Sequence, residues 1–205
     1  MIMTTQNNRV LTITLNRPDD LNPLSWQVLN AIADVLDTAL NDDSVGVIVI
    51  GAAGKAFSTG YDLREAHWIT SQYPANFDDH VDIRKDRDDV HVIVDYWMKL
   101  WRYPKPIIAK VQGDCLSGAG ELLGVCDIAI VSEHARFGHP AGRDLGIPPS
   151  IMFWPMLIGY RKTKELLYTS RLISAHEAAK IGLVNEVVAH DQLDETVAIM
   201  AAHIA

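Results

Sequence analysis

"PIIAKVQGDCLSGAGELLGVCDIAIVS", residues 106–132, is the stretch on which the fold turns. It begins and ends with short apolar runs, Pro106 to Val111 and Asp127 to Ser132, each of the length and character of a buried strand. Between them stand Gly113, Gly118, Gly120 and Gly124, with a helix expected to begin near Gly118. Glu121 then falls in the first turn of that helix, beside backbone carrying almost no side-chain bulk. Strands that alternate with helices and end in glycine loops predict an α/β domain.

The flanking sequence extends this pattern. Leu11, Ile13 and Leu15 alternate with Thr12 and Thr14, the period of a half-buried strand, and Asn16-Arg17-Pro18-Asp19-Asp20 ends it. From Leu24 to Leu40, apolar residues recur at Val28, Ile32, Val35 and Ala39 as a helical stripe. Asn41 to Ser44 reads as a turn, VGVIVI (45–50) as a buried strand, and GAAGKAFSTG (51–60) as a glycine-bearing loop. Residues 66–89, dense in Asp, His and Arg, read as a surface excursion. Residues 90–101 read as a helix with Val90, Ile93, Val94, Trp97 and Trp101 along one side. Ser174 and Glu177 form a capping box for a helix that Gly182 closes, and Val184 to Val188 is strand-like. Leu193, Val197, Met200 and Ile204 make a last helical stripe, whose face is unfinished at Ala205. That helix either docks back on the domain or lacks a continuation. The organisation expected is a core domain over 1–190 and the start of a C-terminal helical segment over 191–205.

Composition excludes several classes of function. The 205 residues are 48% hydrophobic and 21% charged, the balance of a globular chain. Eighteen Lys and Arg against 26 Asp and Glu give a net charge of −8, which disfavours a nucleic-acid surface. A small anionic ligand stays compatible, since a few local cations and backbone N–H groups suffice to hold it. Cys115 and Cys126 lack metal-ligand spacing, and the eight histidines contain no H-E-x-x-H, so no metal site is expected. No segment approaches a membrane span, and a reducing cytoplasm is the expected setting. Gly118, Gly120 and Gly124 give G-x-G-x-x-x-G, one residue too long for the dinucleotide fingerprint. A P-loop is absent, and G-x-S-x-G is met around neither Ser58 nor Ser117. These exclusions favour acyl chemistry supported by backbone donors.

Two loops fit that chemistry, GKAFSTGYDL (54–63) and GDCLSGAGE (113–121), each following a buried-strand candidate. Two N–H groups that converge from such loops form an oxyanion hole, and a helix dipole starting near Gly118 adds to it. A carboxylate in that first turn is poised to move a proton.

In collinear order, LNRPDDLNPL (15–24), GKAFSTGYDLRE (54–65), PKPIIAKVQGDCLSGAGELLGVCDIAI (104–130), ARFGHP (135–140) and SAHEAAKIGLVNEVV (174–188) resemble the crotonase superfamily, that is, enoyl-CoA hydratase/isomerase. The resemblance implies a crotonase-like α/β fold of repeated ββα units, assembled as a homotrimer or dimer of trimers. It implies an acyl-CoA thioester as substrate, with coenzyme A part of that substrate rather than a resident cofactor, and an enolate-like intermediate. Carried over by position, the backbone N–H groups of Tyr61 and Gly118 form the oxyanion hole, and Glu121 is one of two catalytic glutamates. Tyr61, Asp62, Leu63 and Gly118 fall at the coenzyme A site, with Lys55 and Arg64 as contacts to its phosphates. Three departures stand out. After Phe137-Gly138-His139-Pro140 comes Ala141, where hydratases carry their second glutamate. His139, Arg143 and Asp144 lie near enough to substitute, and Asp144, a carboxylate three residues on, is the best fitted. The interval from 61 to 121 is long, and its extra residues around DDHVDIRKDRDD (78–89) read either as a solvated charge run on the surface or as a pocket lid that selects the acyl group, with Trp68 and Tyr73 as its walls. Relatives also continue with further C-terminal helices that pack on a neighbouring subunit. The expected function is enoyl-CoA hydration; the alternatives are double-bond isomerisation through one glutamate and a non-catalytic acyl-CoA-binding role.

Overall fold

The computed structural model describes residues 1–65, 83–144, 146, 149, 150 and 153–205. An antiparallel hairpin of β1 (Ile2–Asn7) and β2 (Val10–Leu15) leads to α1 (Trp26–Leu40), whose N-cap Ser25 accepts a hydrogen bond from the Val28 N–H. Then follow β3 (Val47–Ala52), β4 (Ala56–Ser58), α2 (Ile83–Trp101), β5 (Ile107–Val111), β6 (Asp114–Leu116), α3 (Gly118–Val125), β7 (Ile128–Ser132), β8 (Arg136–Gly138) and α4 (Ala141–Asp144). The described chain closes with α5 (Trp154–Ile158), α6 (Tyr160–Thr169), β9 (Ile173–Ser174), α7 (Ala175–Lys180), β10 (Glu186–Val188) and α8 (Leu193–Ile204).

Two sheets result, a large one in the order β1-β2-β3-β5-β7-β10 and a small one in the order β4-β6-β8-β9. The pairs β3–β4, β5–β6 and β7–β8 each give their first strand to the large sheet and their second to the small one, and successive pairs stack in parallel. Ile48 lies opposite Ile107 in the large sheet, and Ala56 opposite Asp114 in the small one. The expected repetition of ββα units is therefore present.

Both faces of the large sheet are covered, which explains the unbroken apolar run in β3. Ile48 and Ile50 face the main core, which holds Ile13, Leu29, Ile32 and Trp97. Val47 and Val49 face the other way, with Ile108 and Ile130, onto Leu193, Val197 and Ala201 of α8. The terminal stripe thus docks back on the sheet, with Met200 and Ile204 half-buried at its edge. The fully buried Leu193 and Val197 each contribute about 1.5–3 kcal/mol.

The helix expected from residue 90 begins at Ile83, so part of the acidic stretch is helical rather than a surface excursion. Its early turns carry exposed Arg84, Arg87 and Asp88, and among its described side chains the buried ones, Ile93, Tyr96, Trp97 and Leu100, all lie in its second half. Val90 and Trp101, expected on the packed side, are 50% and 45% exposed. Residues 66–82, and with them the expected lid residues Trp68 and Tyr73, lie outside the described residues.

Candidate active site

Strands β4 and β6 run side by side and parallel, so the segments leaving them travel together. Gly60 makes this approach close: a Cβ there would lie 2.9 Å from the Gly118 nitrogen and from the Leu116 carbonyl oxygen. On the opposite edge, the Leu24 N–H donates to the Gly60 carbonyl and the Asp62 N–H donates to the Leu24 carbonyl. Alternation across this bridge turns the Tyr61 N–H away from Leu24. Ser117 sets the other amide. Its φ of 52° and ψ of −122° are costly for a residue with a Cβ, about 1–3 kcal/mol. The conformation is held because the Ser117 N–H bonds the Gly138 carbonyl and its own carbonyl accepts from Gly120. The Gly118 N–H, next in the chain, is fixed in consequence at the start of α3.

Glu121, one turn on, is 4% exposed. It accepts hydrogen bonds from the Ser150 N–H at 2.5 Å, from the Ser150 hydroxyl at 2.6 Å and from the Tyr61 hydroxyl. Trp97 donates its indole N–H to the Tyr61 oxygen at 2.9 Å. Burial first, and the Glu121 charge second, push the Tyr61 phenol far above its ordinary pKa, so it keeps its proton and remains a donor. Glu121 and His139 share a cavity with Phe153, Trp154, Thr163 and Leu167, and Trp154 packs against Gly120. The polar Glu121, His139 and Thr163 thus meet the apolar Phe153, Trp154 and Leu167 around a space of about 10 Å³, room for about one water beside a buried carboxylate that can move a proton.

The sequence-derived candidates are distributed unevenly. Tyr61, Gly118 and Glu121 come together. Asp144 does not join them: its side chain is 56% exposed and pairs with Arg143 at 3.2 Å. Ala141 opens that turn, and it is the buried His139 that faces the cavity. Asp62, 2% exposed at its side chain, is held by Arg17 and Arg64 at 3.0 Å each, and both arginines also pair with Asp20. Arg64 is therefore engaged with two carboxylates, whereas Leu63 and Lys55 are exposed. Ser150 and Trp97 were not foreseen. Ser150 has no local signal, while Trp97 had one: a buried indole needs an acceptor for its N–H. Among the described residues, no group of His, Cys, Asp and Glu could hold a metal ion, and no helix is long and apolar enough to cross a membrane.

The ring of Arg17, Asp20, Asp62 and Arg64 ties the loop before α1 to the segment carrying Tyr61. The Arg64 hydrogen bond chiefly, with Arg17 assisting and burial opposing, holds the Asp62 carboxyl down to about 2. A depressed carboxylate adds stability above its unfolded pKa of about 3.9, and that stability is lost as pH falls toward 2. With solvent screening at the exposed Arg64, Asp62→Asn is expected to cost about 1–2 kcal/mol at pH 6 and less than about 0.5 kcal/mol at pH 2. Urea unfolding at the two pH values checks this, and an equal cost at both would exclude the linkage.

The sequence profile of the enoyl-CoA hydratase/isomerase family matches residues 5–205. A probable mitochondrial enoyl-CoA hydratase of Dictyostelium discoideum is 36% identical over 205 residues, covering 98% of this chain and 69% of that protein. A probable enoyl-CoA hydratase of Mycobacterium tuberculosis is 34% identical over 197 residues, covering 94% of this chain and 70% of its own length. The crystal structure of an enoyl-CoA hydratase/isomerase from Xanthobacter autotrophicus superposes with a TM-score of 0.88 at 35% identity, covering 99% of this chain and 72% of that one. With two thirds or more of each relative matched, and with stacked ββα units in the fold, the chain belongs to the enoyl-CoA hydratase/isomerase family.

Proposed function

We propose that the protein processes acyl-CoA thioesters through a stabilised enolate, and that its reaction is hydration of a 2-enoyl-CoA. The observation that carries this is Glu121, a buried carboxylate one turn from the Gly118 amide and hydrogen-bonded to Tyr61. The thioester oxygen accepts from the Tyr61 and Gly118 amides, and charge moves onto it as water adds to the β-carbon. Glu121 takes one proton from that water. The enolate then collapses, its α-carbon takes the proton back from Glu121, and the sum is one water added across the double bond. One carboxylate suffices for this balance. Two main-chain donors aimed at the developing oxyanion contribute about 2.7–4 kcal/mol each. Coenzyme A arrives with the substrate, its phosphates meeting Lys55 and Arg64, the latter after release from Asp20. A homotrimer or dimer of trimers in the cytoplasm completes this reading.

A second reading, double-bond isomerisation, is favoured by Ala141 and by the outward position of Asp144, which leave Glu121 as the carboxylate among the described residues that line the cavity. Here Glu121 removes a proton from one carbon and returns it to another, with no water added. Crotonyl-CoA in deuterated water separates the two. Formation of 3-hydroxybutyryl-CoA with deuterium at the α-carbon supports hydration, and exchange without hydration supports isomerisation. Coenzyme A binding with neither outcome overturns the enzymatic reading.

A further inference from the structure

Tyr61 enters the proposed function through its main-chain amide alone, yet its phenol oxygen meets three polar side chains, Glu121, Ser150 and Trp97. The Trp97 indole N–H can only donate, and at 2.9 Å it commits one lone pair of the phenol oxygen. The single phenol hydrogen is then left for Glu121, with the Ser150 hydroxyl at 3.1 Å as the neighbouring alternative. Ser150 approaches the same carboxylate with its N–H and its hydroxyl, so two chain segments fix the plane of the Glu121 carboxyl group. The Tyr61 ring itself lies flat over Gly118. Three ring carbons stand 2.8–2.9 Å from where a Cβ of residue 118 would be.

The support behind the ring is rigid. Trp97 has no exposure, and it meets Tyr96 edge-on at 4.9 Å. The Tyr96 hydroxyl in turn donates to the Leu29 carbonyl of α1 at 2.9 Å. A continuous line of packed and hydrogen-bonded groups therefore runs from α1 through α2 to the carboxylate in α3. We propose that the Tyr61 side chain, oriented by Trp97, is the positioning residue for Glu121 and stands in for the second carboxylate missing at Ala141. This rests on the reading of Glu121 as the proton carrier.

A second glutamate would hold its partner and the water in place through polar contacts; here a phenol, an indole and a serine hold the one carboxylate. Hydrogen bonds donated to a carboxylate favour its charged form, so this clamp works against the burial that disfavours the Glu121 charge. The titratable groups that face Glu121 among the described residues are the Tyr61 phenol, from the segment after β4, and His139, which lines the same cavity. The indole and Ser150 are the neutral members of the set. Because Tyr61→Phe keeps the ring over Gly118 and deletes only the hydroxyl, it separates the clamp from the packing.

The test combines a carboxyl-carbon NMR titration of glutamate-labelled protein, with Glu121 assigned through Glu121→Gln, and steady-state kinetics on crotonyl-CoA. In Tyr61→Phe, the Glu121 titration midpoint is expected to rise by about one pH unit. Its kcat is expected to fall about tenfold to a hundredfold with KM within about twofold, and the acid limb of the kcat/KM profile to move up with the midpoint. Trp97→Phe is expected to shift both quantities in the same direction by less, and it decides the matter if Tyr61→Phe fails to fold. An unmoved midpoint in whichever variant folds overturns the proposal, as does an unmoved kcat. A wild-type chain without turnover overturns the hydration reading instead, and the titration then decides the positioning role by itself.

Discussion

Glu121→Gln is expected to lower kcat about a thousandfold while leaving acyl-CoA affinity within about threefold and the fold intact. The size follows from removing the group that carries the proton, since a positioned general base contributes about 10²–10⁴ in rate. The intact fold follows from the hydrogen bonds around the side chain. The glutamine oxygen still accepts from the Ser150 N–H. Its amide nitrogen then faces the Ser150 and Tyr61 oxygens, each of which can accept once its hydrogen turns; Tyr61 has a lone pair left after Trp97 and can donate to Ser150 at 3.1 Å. The substitution also removes a charge from a site only 4% exposed, so the melting temperature is expected to hold or rise. Rates on crotonyl-CoA, calorimetric titration and a thermal melt on one preparation measure all three. Activity retained to within tenfold would move the proton to another group, and His139, buried in the same cavity, would be the first to examine.

How much of this was legible beforehand depended on whether the cause was local. The glycine loops and Glu121 could be read because α3 begins within the same short segment that holds Gly118. The capping box at Ser174 could be read for the same reason, and its hydroxyl does accept from the Glu177 N–H. The unbroken VGVIVI run announced a strand with two covered faces, and α8 is the cover that the alternation required. Non-local causes left no trace. That β4, β6 and β8 leave the large sheet to form a second one depends on pairing between segments far apart in sequence. The start of α2 at Ile83 was hidden because its first turns are charged and exposed, which in a sequence looks the same as a loop. Asp144 was favoured as a carboxylate three residues beyond Ala141, but its side chain is half exposed and paired with Arg143, and distance along the chain does not report which way a side chain faces. Trp97 shows the intermediate case: its place in an apolar stripe was read correctly as core, and its N–H carried the further information that an acceptor must lie beside it.

Gly118→Ala is expected to lower kcat by about a hundredfold to a thousandfold and to destabilise the fold by about 1–3 kcal/mol. The added methyl would stand 2.8–2.9 Å from three carbons of the Tyr61 ring, closer than real Cβ contacts allow, so the ring or the start of α3 has to move. Either displacement reaches the chemistry twice. It turns the Gly118 amide, whose direction the strained Ser117 maintains, and it drags the phenol away from Glu121. The steric part can be separated from the chemical part by a double-mutant cycle with Tyr61→Ala, which removes the ring that the methyl meets. If the ring is the obstacle, Gly118→Ala costs at least 1 kcal/mol less in the Tyr61→Ala background than in the wild type, a coupling well above the 0.3–0.5 kcal/mol scatter of independent sites. Activity in that double variant stays low all the same, because relieving the clash does not return the hydroxyl that held the carboxylate. Stability restored without activity would place the two roles of residue 61 on different atoms: the ring carbons that require glycine at 118, and the phenol oxygen that orders Glu121. Additive stability effects would instead locate the intolerance of position 118 in its own backbone, with Tyr61 an onlooker to the packing.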